Sequence, residues 1–212
     1  MSYDTDKYKI AVAVFAGGRS VRMGIPKESI VIEGDGRTFL ERICDEANAC
    51  EQTLISGKYL SVRRGQRTDT DGFTAVEDEY DDIGPLGGLI PVLACAKEDG
   101  MDAVLIVAVD MVKYDRHEIE EICRAYAGED ILIPRTADGR VHPLAGIYSV
   151  RLLESARRLA DEGNYRMSAL QTDDIHIKYY DTASDDAYLN VNRPEDLSTI
   201  KQACGVDRLL TL

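Results

Sequence analysis

Residues 9–30 read KIAVAVFAGGRSVRMGIPKESI. The first eight, Lys9 to Ala16, form a short β-rich apolar run ending in Gly17-Gly18, the pattern of a central strand buried on both faces and closed by a turn. Arg19, Arg22 and Lys27 follow, so flexible backbone and positive charge gather behind one strand. Runs of the same kind recur at Thr53–Ser56 (TLIS), Phe73–Val76 (FTAV), Ala103–Val109 (AVLIVAV), Asp130–Pro134 (DILIP) and Ile175–Tyr180 (IHIKYY). Segments with helical spacing lie between them. Thr38–Ala47 places Phe39, Leu40, Ile43 and Ala47 on one face; Asp115 is positioned to cap a helix carrying Ile119, Ile122, Cys123 and Tyr126. Val150–Ala160 and Pro194–Ala203 read the same way, whereas Pro91 is expected to kink or delay a helix over Leu86–Lys97. The alternation predicts right-handed crossovers and a Rossmann-like three-layer α/β/α fold with a mainly parallel sheet. In such a sheet ligands bind beyond the carboxyl ends of the strands, so each loop of chemical interest should follow a strand.

The chain has 212 residues, 44% hydrophobic and 30% charged, which suits a single domain with a substantial core over about residues 8–203 and short tails. Lys and Arg total 25 against 38 Asp and Glu, a net charge of −13. With no basic run to follow a phosphodiester backbone, nucleic acid is not an expected partner. No apolar stretch approaches the ~20 residues of a membrane helix. Cys44, Cys50, Cys95, Cys123 and Cys204 are scattered without metal-ligand spacing and read as small core or surface thiols. Together with the absence of a signal peptide they lead to an expected cytoplasmic setting. The stretch Lys58–Gly72 is polar and expected to be mobile.

The glycine turn matches neither G-x-G-x-x-G nor G-x-x-x-x-G-K-[ST], because Glu28 follows Lys27. What remains is a turn whose N–H groups can face an anion, with cations behind it, or a plain turn with incidental surface charge. Asp110 ends the most apolar strand, where a carboxylate is costly unless it is paired, binds metal or caps the next helix. Asn190 and Asn192, two apart in an extended segment, share one side of the chain; as strand-end asparagines they are equally turn formers. Gly84-Pro85-Leu86-Gly87-Gly88 is a turn with little side-chain bulk, either structural or open to a flat ring. His142, before Pro143, has no partner in sequence that would make it catalytic.

These segments occur together in one order that resembles the molybdenum cofactor guanylyltransferases, the MobA-like nucleotidyltransferase family. FAGGRSVRMGIPK is similar to the family's L-A-G-G-x-S-x-R-M-G-x-x-K signature. EDEYDDIGPLGGL (Glu77–Leu89), VAVDM (Val107–Met111), HPLAGIY (His142–Tyr148) and LNVNRPEDL (Leu189–Leu197) follow in the family's sequence. The resemblance spans residues 10–197 and implies a fold of the nucleotide-diphospho-sugar transferase type. It implies transfer of GMP from GTP to molybdopterin with release of pyrophosphate, Mg²⁺ as cofactor, and molybdoenzymes as acceptor partners. It assigns Phe15, Ala16, Gly17, Gly18, Arg22 and Lys27 to the triphosphate, with Lys27 on the α-phosphate. Asp110 becomes the metal ligand; Asp78, Gly84, Pro85, Leu86 and Gly87 frame the guanine, and Ser56 takes the place of a nucleotide-contacting Asn. Asn190 and Asn192 fall on the opposite wall. The chain departs from the family at Pro26, where Asp is common, and at Val112, where Pro is common. CTP as donor, a sugar 1-phosphate or phosphorylated alcohol as acceptor, and nucleotide binding without turnover are the competing expectations.

Overall fold

A computed structural model describes residues 7–18, 25–68, 70–80, 82–192 and 196. Among the described residues seven strands form one sheet in the order β3-β2-β1-β4-β6-β5-β7. They are β1 (Ile10–Phe15), β2 (Gly57–Val62), β3 (Thr74–Glu77), β4 (Ala103–Ala108), β5 (Ile131–Arg135), β6 (Ile147–Ser149) and β7 (Ile177–Asp181). All neighbours pair in parallel except β6, which runs antiparallel between β4 and β5.

The period-two alternation of β1 and β4 divides the core into two layers. Val12, Val14, Leu105 and Val107 pack on one face with Phe39, Leu40 and Ile43 of α1 (Phe39–Asn48) and Ile119 and Ile122 of α3 (Arg116–Ala125). Ala11, Ala13, Val104 and Ile106 pack on the other with Leu86, Leu89, Ile90 and Leu93 of α2 (Pro85–Glu98) and Ala156 and Ala160 of α4 (Leu153–Asp161). The three-layer α/β/α architecture expected from the sequence is therefore present. Thr38 caps α1 in a reciprocal box: its side chain accepts from the N–H of Glu41, whose carboxylate accepts from the N–H of Thr38 at 2.7 Å. Asp115 caps α3 by accepting from the N–H of Glu118.

Three expectations change. The second strand is GKYLSV, not TLIS: Leu54 and Ile55 are buried in the approach to the sheet, and pairing with β1 begins at Gly57 opposite Ala11. The start of the polar stretch, Lys58–Val62, is thus strand, with Tyr59, Leu60, Ser61 and Val62 buried and the Lys58 ammonium donating to Asn48 Oδ1 at 2.9 Å. Second, α2 begins at Pro85 and runs through Pro91. An interior proline costs about 3 kcal/mol; the fully buried Leu86, Leu89, Ile90, Val92 and Leu93 on the same helix, at roughly 1.5–3 kcal/mol each, outweigh it. Third, a strand absent from the sequence reading is present: β6 is three residues long, too short to carry a readable period. The helix expected at Pro194–Ala203 lies outside the described residues.

Thr38→Ala removes half of the capping box and is expected to lower unfolding free energy by about 1 kcal/mol. Urea denaturation should show a lower midpoint with an unchanged m-value.

Candidate active site

The carboxyl ends of β1, β2, β3 and β4 open on one cavity of about 1020 Å³. Phe15, Gly17, Gly18, Asp78, Asp110 and Asn192 line it, together with Lys27 from the short 3-10 turn Lys27–Ser29 and Gly84-Pro85 at the start of α2. Gly84 has φ +69°, a conformation that L side chains rarely adopt, and this turns the chain into the helix so that its amino end faces the cavity.

At the centre of the rim the Lys27 ammonium donates to Asp110 Oδ2 at 2.7 Å and to Asn192 Oδ1 at 2.8 Å. These residues are separated by 83 and 165 positions, so one side chain joins three parts of the chain. The N–H of Val191 donates to the carbonyl of Asp110 at 3.0 Å, which holds the asparagine segment against the end of β4. Asp110 Oδ1 is buried and has no hydrogen-bond partner among the described residues. A carboxylate oxygen left unsatisfied beside a cavity is suited to a cation, and one carboxylate with an amide oxygen fits a hard divalent ion completed by ligand phosphates. Among the described residues no group of three or more His, Cys, Asp or Glu forms a self-sufficient metal site.

The wall nearest β2 is polar. Ser61 Oγ donates to Asp78 Oδ1 at 3.4 Å, and a Cβ on Gly88 would overlap that hydroxyl. Gly88 is therefore required for α2 to approach the strand. Beyond β2, Gln66 Nε2 donates to Glu28 Oε1 at 2.8 Å, while the backbone N–H and the Nε of Arg63 donate to Gln66 Oε1. This bridge ties the turn carrying Lys27 to the loop after β2. Sequence reading missed Glu28, Ser61, Arg63 and Gln66 as site residues, because no motif marks them for that role; correct placement of β2 would have put 61–66 on the rim.

A second cavity of about 390 Å³ shares Leu144 and Asn192 with the first and is lined also by Arg140, His142, Tyr188 and Asn190. The His142 ring lies 4.9 Å from that of Tyr188, which packs edge-on against Tyr114 at 5.4 Å. The Tyr188 hydroxyl donates to the buried Glu118 Oε2 of α3 at 2.9 Å. Burial pushes the Glu118 carboxyl up, and burial with the Arg140 charge pushes the His142 imidazole below its ordinary value.

Several sequence assignments are relocated. Ser56 lies before β2, its N–H donating to the carbonyl of Ile10 at the amino end of β1, so it stands at the opposite end of the sheet from the cavity. The N–H of Ala16 extends the β-ladder to the carbonyl of Ser61 and is not turned to the cavity, although Ala16 lines it. Leu86 and Gly87 pack inward: Leu86 is fully buried, and a Cβ on Gly87 would meet the carbonyl of Tyr80 at 3.0 Å. Asn192 reaches Lys27, whereas Asn190 lines only the second cavity. Arg22 lies outside the described residues. Cys44, Cys50 and Cys123 are buried, free thiols; desolvation pushes Cys44 and Cys50 up to about 12 and Cys123 higher still, consistent with core packing. No described helix is long and apolar enough to cross a membrane.

This sheet, with a glycine turn and a lysine–aspartate pair on its carboxyl rim, is that of a nucleotidyltransferase. Residues 12–175 match the model of the MobA-like NTP transferase domain, and the chain belongs to that family. A "Probable molybdenum cofactor guanylyltransferase" of Mycobacterium marinum is 30% identical over 197 residues, covering 92% of this chain and 94% of the relative. Its counterpart in Mycobacterium tuberculosis is 30% identical over 165 residues, covering 78% of this chain and 80% of the relative. The fold is shared with molybdopterin-guanine dinucleotide biosynthesis protein A of Archaeoglobus fulgidus, at a TM-score of 0.70, 18% identity and coverage of 92% of this chain and 98% of that one. It is shared also with 2-C-methyl-D-erythritol 4-phosphate cytidylyltransferase of Thermus thermophilus, at a TM-score of 0.67, 14% identity and coverage of 92% and 98%.

Because the folded protein resists protonating His142 while the unfolded chain does not, its contribution to stability is full above the ordinary value of 6.5 and lost as pH falls through that range. Chemical denaturation at stepped pH should therefore show a shallower loss on acidification in His142→Gln than in wild type.

Proposed function

We propose that this enzyme transfers GMP from GTP to the terminal phosphate of molybdopterin or its molybdenum complex, releasing pyrophosphate, with Mg²⁺ as its metal. The observation that carries the reading is the meeting of Lys27, Asp110 and Asn192 where the two cavities share a wall. The names of the 30% identical relatives supply the guanine and molybdenum cofactor chemistry.

In this reaction an acceptor phosphate oxygen attacks the α-phosphorus of GTP, a new P–O bond forms, and the bond to the β-phosphate oxygen breaks to expel pyrophosphate. The nucleophile is already an anion, so no general base is required, and His142, whose imidazole burial pushes below its ordinary value, is assigned none. Negative charge grows on the equatorial and leaving oxygens, and the protein's task is to stabilise it in place. Lys27 supplies a positive charge on a flexible stem beside the α-phosphate. The amino end of α2 adds its partial positive charge behind Gly84, and the backbone around Gly17 and Gly18 passes without side-chain bulk. Asp78, on the polar wall with Ser61, would accept from guanine N1–H and N2–H. Asp110 and Asn192 would hold Mg²⁺, which when bound neutralises phosphate charge and orients the oxygens for in-line displacement. Arg140, His142, Tyr188 and Asn190 surround the acceptor, with Arg140 the cation available to an anionic group at its mouth. Asn192 belongs to both cavities and sets the distance between donor and acceptor.

The test is pyrophosphate release from GTP, CTP and ATP with Mg²⁺ and molybdopterin. Release with GTP is expected. Release with CTP alone would reassign the base, and tight GTP binding without release under any acceptor would make the chain a nucleotide-binding regulator. Lys27→Ala and Asp110→Ala should each lower the rate of transfer by about 10²–10⁴-fold, roughly 3–5 kcal/mol of transition-state stabilisation.

A further inference from the structure

One ammonium group occupies the oxygen atoms that a divalent cation would need. Lys27 Nζ sits 2.7 Å from Asp110 Oδ2 and 2.8 Å from Asn192 Oδ1, and Asp110 Oδ1 lies buried beside them without a partner among the described residues. The Lys27 and Asp110 side chains keep only 16% and 14% exposure, so water does little to screen the ammonium from anything else at that spot. A metal ion brought alone to Asp110 would meet a positive charge within hydrogen-bonding distance of its own ligand. It would also lack the phosphate oxygens that normally complete its shell, since one carboxylate and one amide make a poor site for an ion that gives up water reluctantly.

The backbone beneath Lys27 restricts how this can be relieved. Pro26, with φ −58°, heads the turn; its carbonyl accepts from the N–H of Ser29 at 3.1 Å and from Ser29 Oγ at 2.9 Å, and the carbonyl of Lys27 accepts from the N–H of Ile30 at 3.1 Å. The next side chain, Glu28, is bound to Gln66. The main chain at Lys27 is thus held from both sides, and the ammonium moves by rotation of its four-carbon stem. A triphosphate at Gly17-Gly18 offers it a stronger set of anionic partners within the same cavity.

We propose that Lys27 fills the metal site of the nucleotide-free enzyme and leaves it for the triphosphate, so that Asp110 binds the divalent ion only with or after the nucleotide. The inference rests on the nucleotidyl-transfer reading and adds to it an order of binding and a second role for Lys27, as the residue that keeps free metal out. Pro26 acquires a function as well: it anchors the turn so that the exchange involves the side chain alone.

Mn²⁺ is the probe, and its free concentration is followed by electron paramagnetic resonance in titrations of the full chain without nucleotide. Wild type should bind Mn²⁺ weakly. Lys27→Met, which keeps the stem and removes the charge, should bind it at least about tenfold more tightly, and Lys27→Met combined with Asp110→Asn should lose the gain. Adding a non-hydrolysable GTP analogue should raise Mn²⁺ affinity of the wild type by about tenfold or more. Mn²⁺ alone should raise the thermal midpoint of Lys27→Met and leave that of wild type unchanged. If Lys27→Met lacks a cooperative transition, Lys27→Gln, which retains a donor toward Asp110 without its charge, serves in the same comparison. Equal Mn²⁺ affinity of wild type and the uncharged variant in the absence of nucleotide overturns the proposal. That arm contains no GTP, so its failure leaves the transferase reading intact; loss of that reading appears separately, as absence of pyrophosphate release.

Discussion

Strands β1 and β4 pair in parallel along their whole length with side chains buried on both faces of the sheet. Polar side chains are too costly along such strands, so those residues needed for chemistry appear where the strands stop. Gly17-Gly18 follows β1, Asp110 follows β4, and Ser61, near the end of β2, is the buried hydroxyl that marks the same boundary. Parallel pairing sends all of these ends to one rim, and helical crossovers on both faces leave that rim uncovered. The cavity is a consequence of the strand pairing before any residue in it is considered.

Closing the rim at the far side depends on contacts that involve no nucleotide-facing group. Tyr188 is buried between Tyr114 and His142 and donates to Glu118 on α3. The segment it anchors continues through Val191, bonded to Asp110, to Asn192, bonded to Lys27. A buried carboxylate on α3, accepting from a tyrosine hydroxyl, therefore fixes an asparagine on the rim of the cavity. On the near side the Glu28–Gln66–Arg63 bridge does the corresponding work for the turn that carries Lys27. Lys27 is held between two polar networks that neither motif nor composition announces.

What could be read early and what could not follow from the range of the forces involved. Capping by Thr38 and Asp115, the apolar stripe of α1 and the two-sided burial of β1 and β4 are local consequences of side-chain type and period, and they were legible. Lys27, Asp110 and Asn192 were legible because a resemblance in motif order brought them together. Ser56 was misplaced because TLIS and KYLSV are both apolar enough to be the second strand, and the choice is made by register with β1, where Gly57 fits against Ala11. Leu86 and Gly87 sit in the same short turn as Gly84, but the first turn of α2 sends Leu86 into the core and sets Gly87 against the carbonyl of Tyr80; a helix presents adjacent residues to different sides.

By itself the sequence determined the class of fold, the order of its main elements, the rim that carries the candidate site and the residue types available there, since each follows from hydrophobic period, turn residues and charge along a few neighbouring positions. Only the tertiary structure decided which polar groups share that rim. The ion pair across 83 residues, the bridge from Glu28 to Gln66, the antiparallel insertion of β6 and the inward turn of Leu86 arise from packing between segments distant in the chain. No local pattern encodes the partner of a side chain when that partner is delivered by another strand.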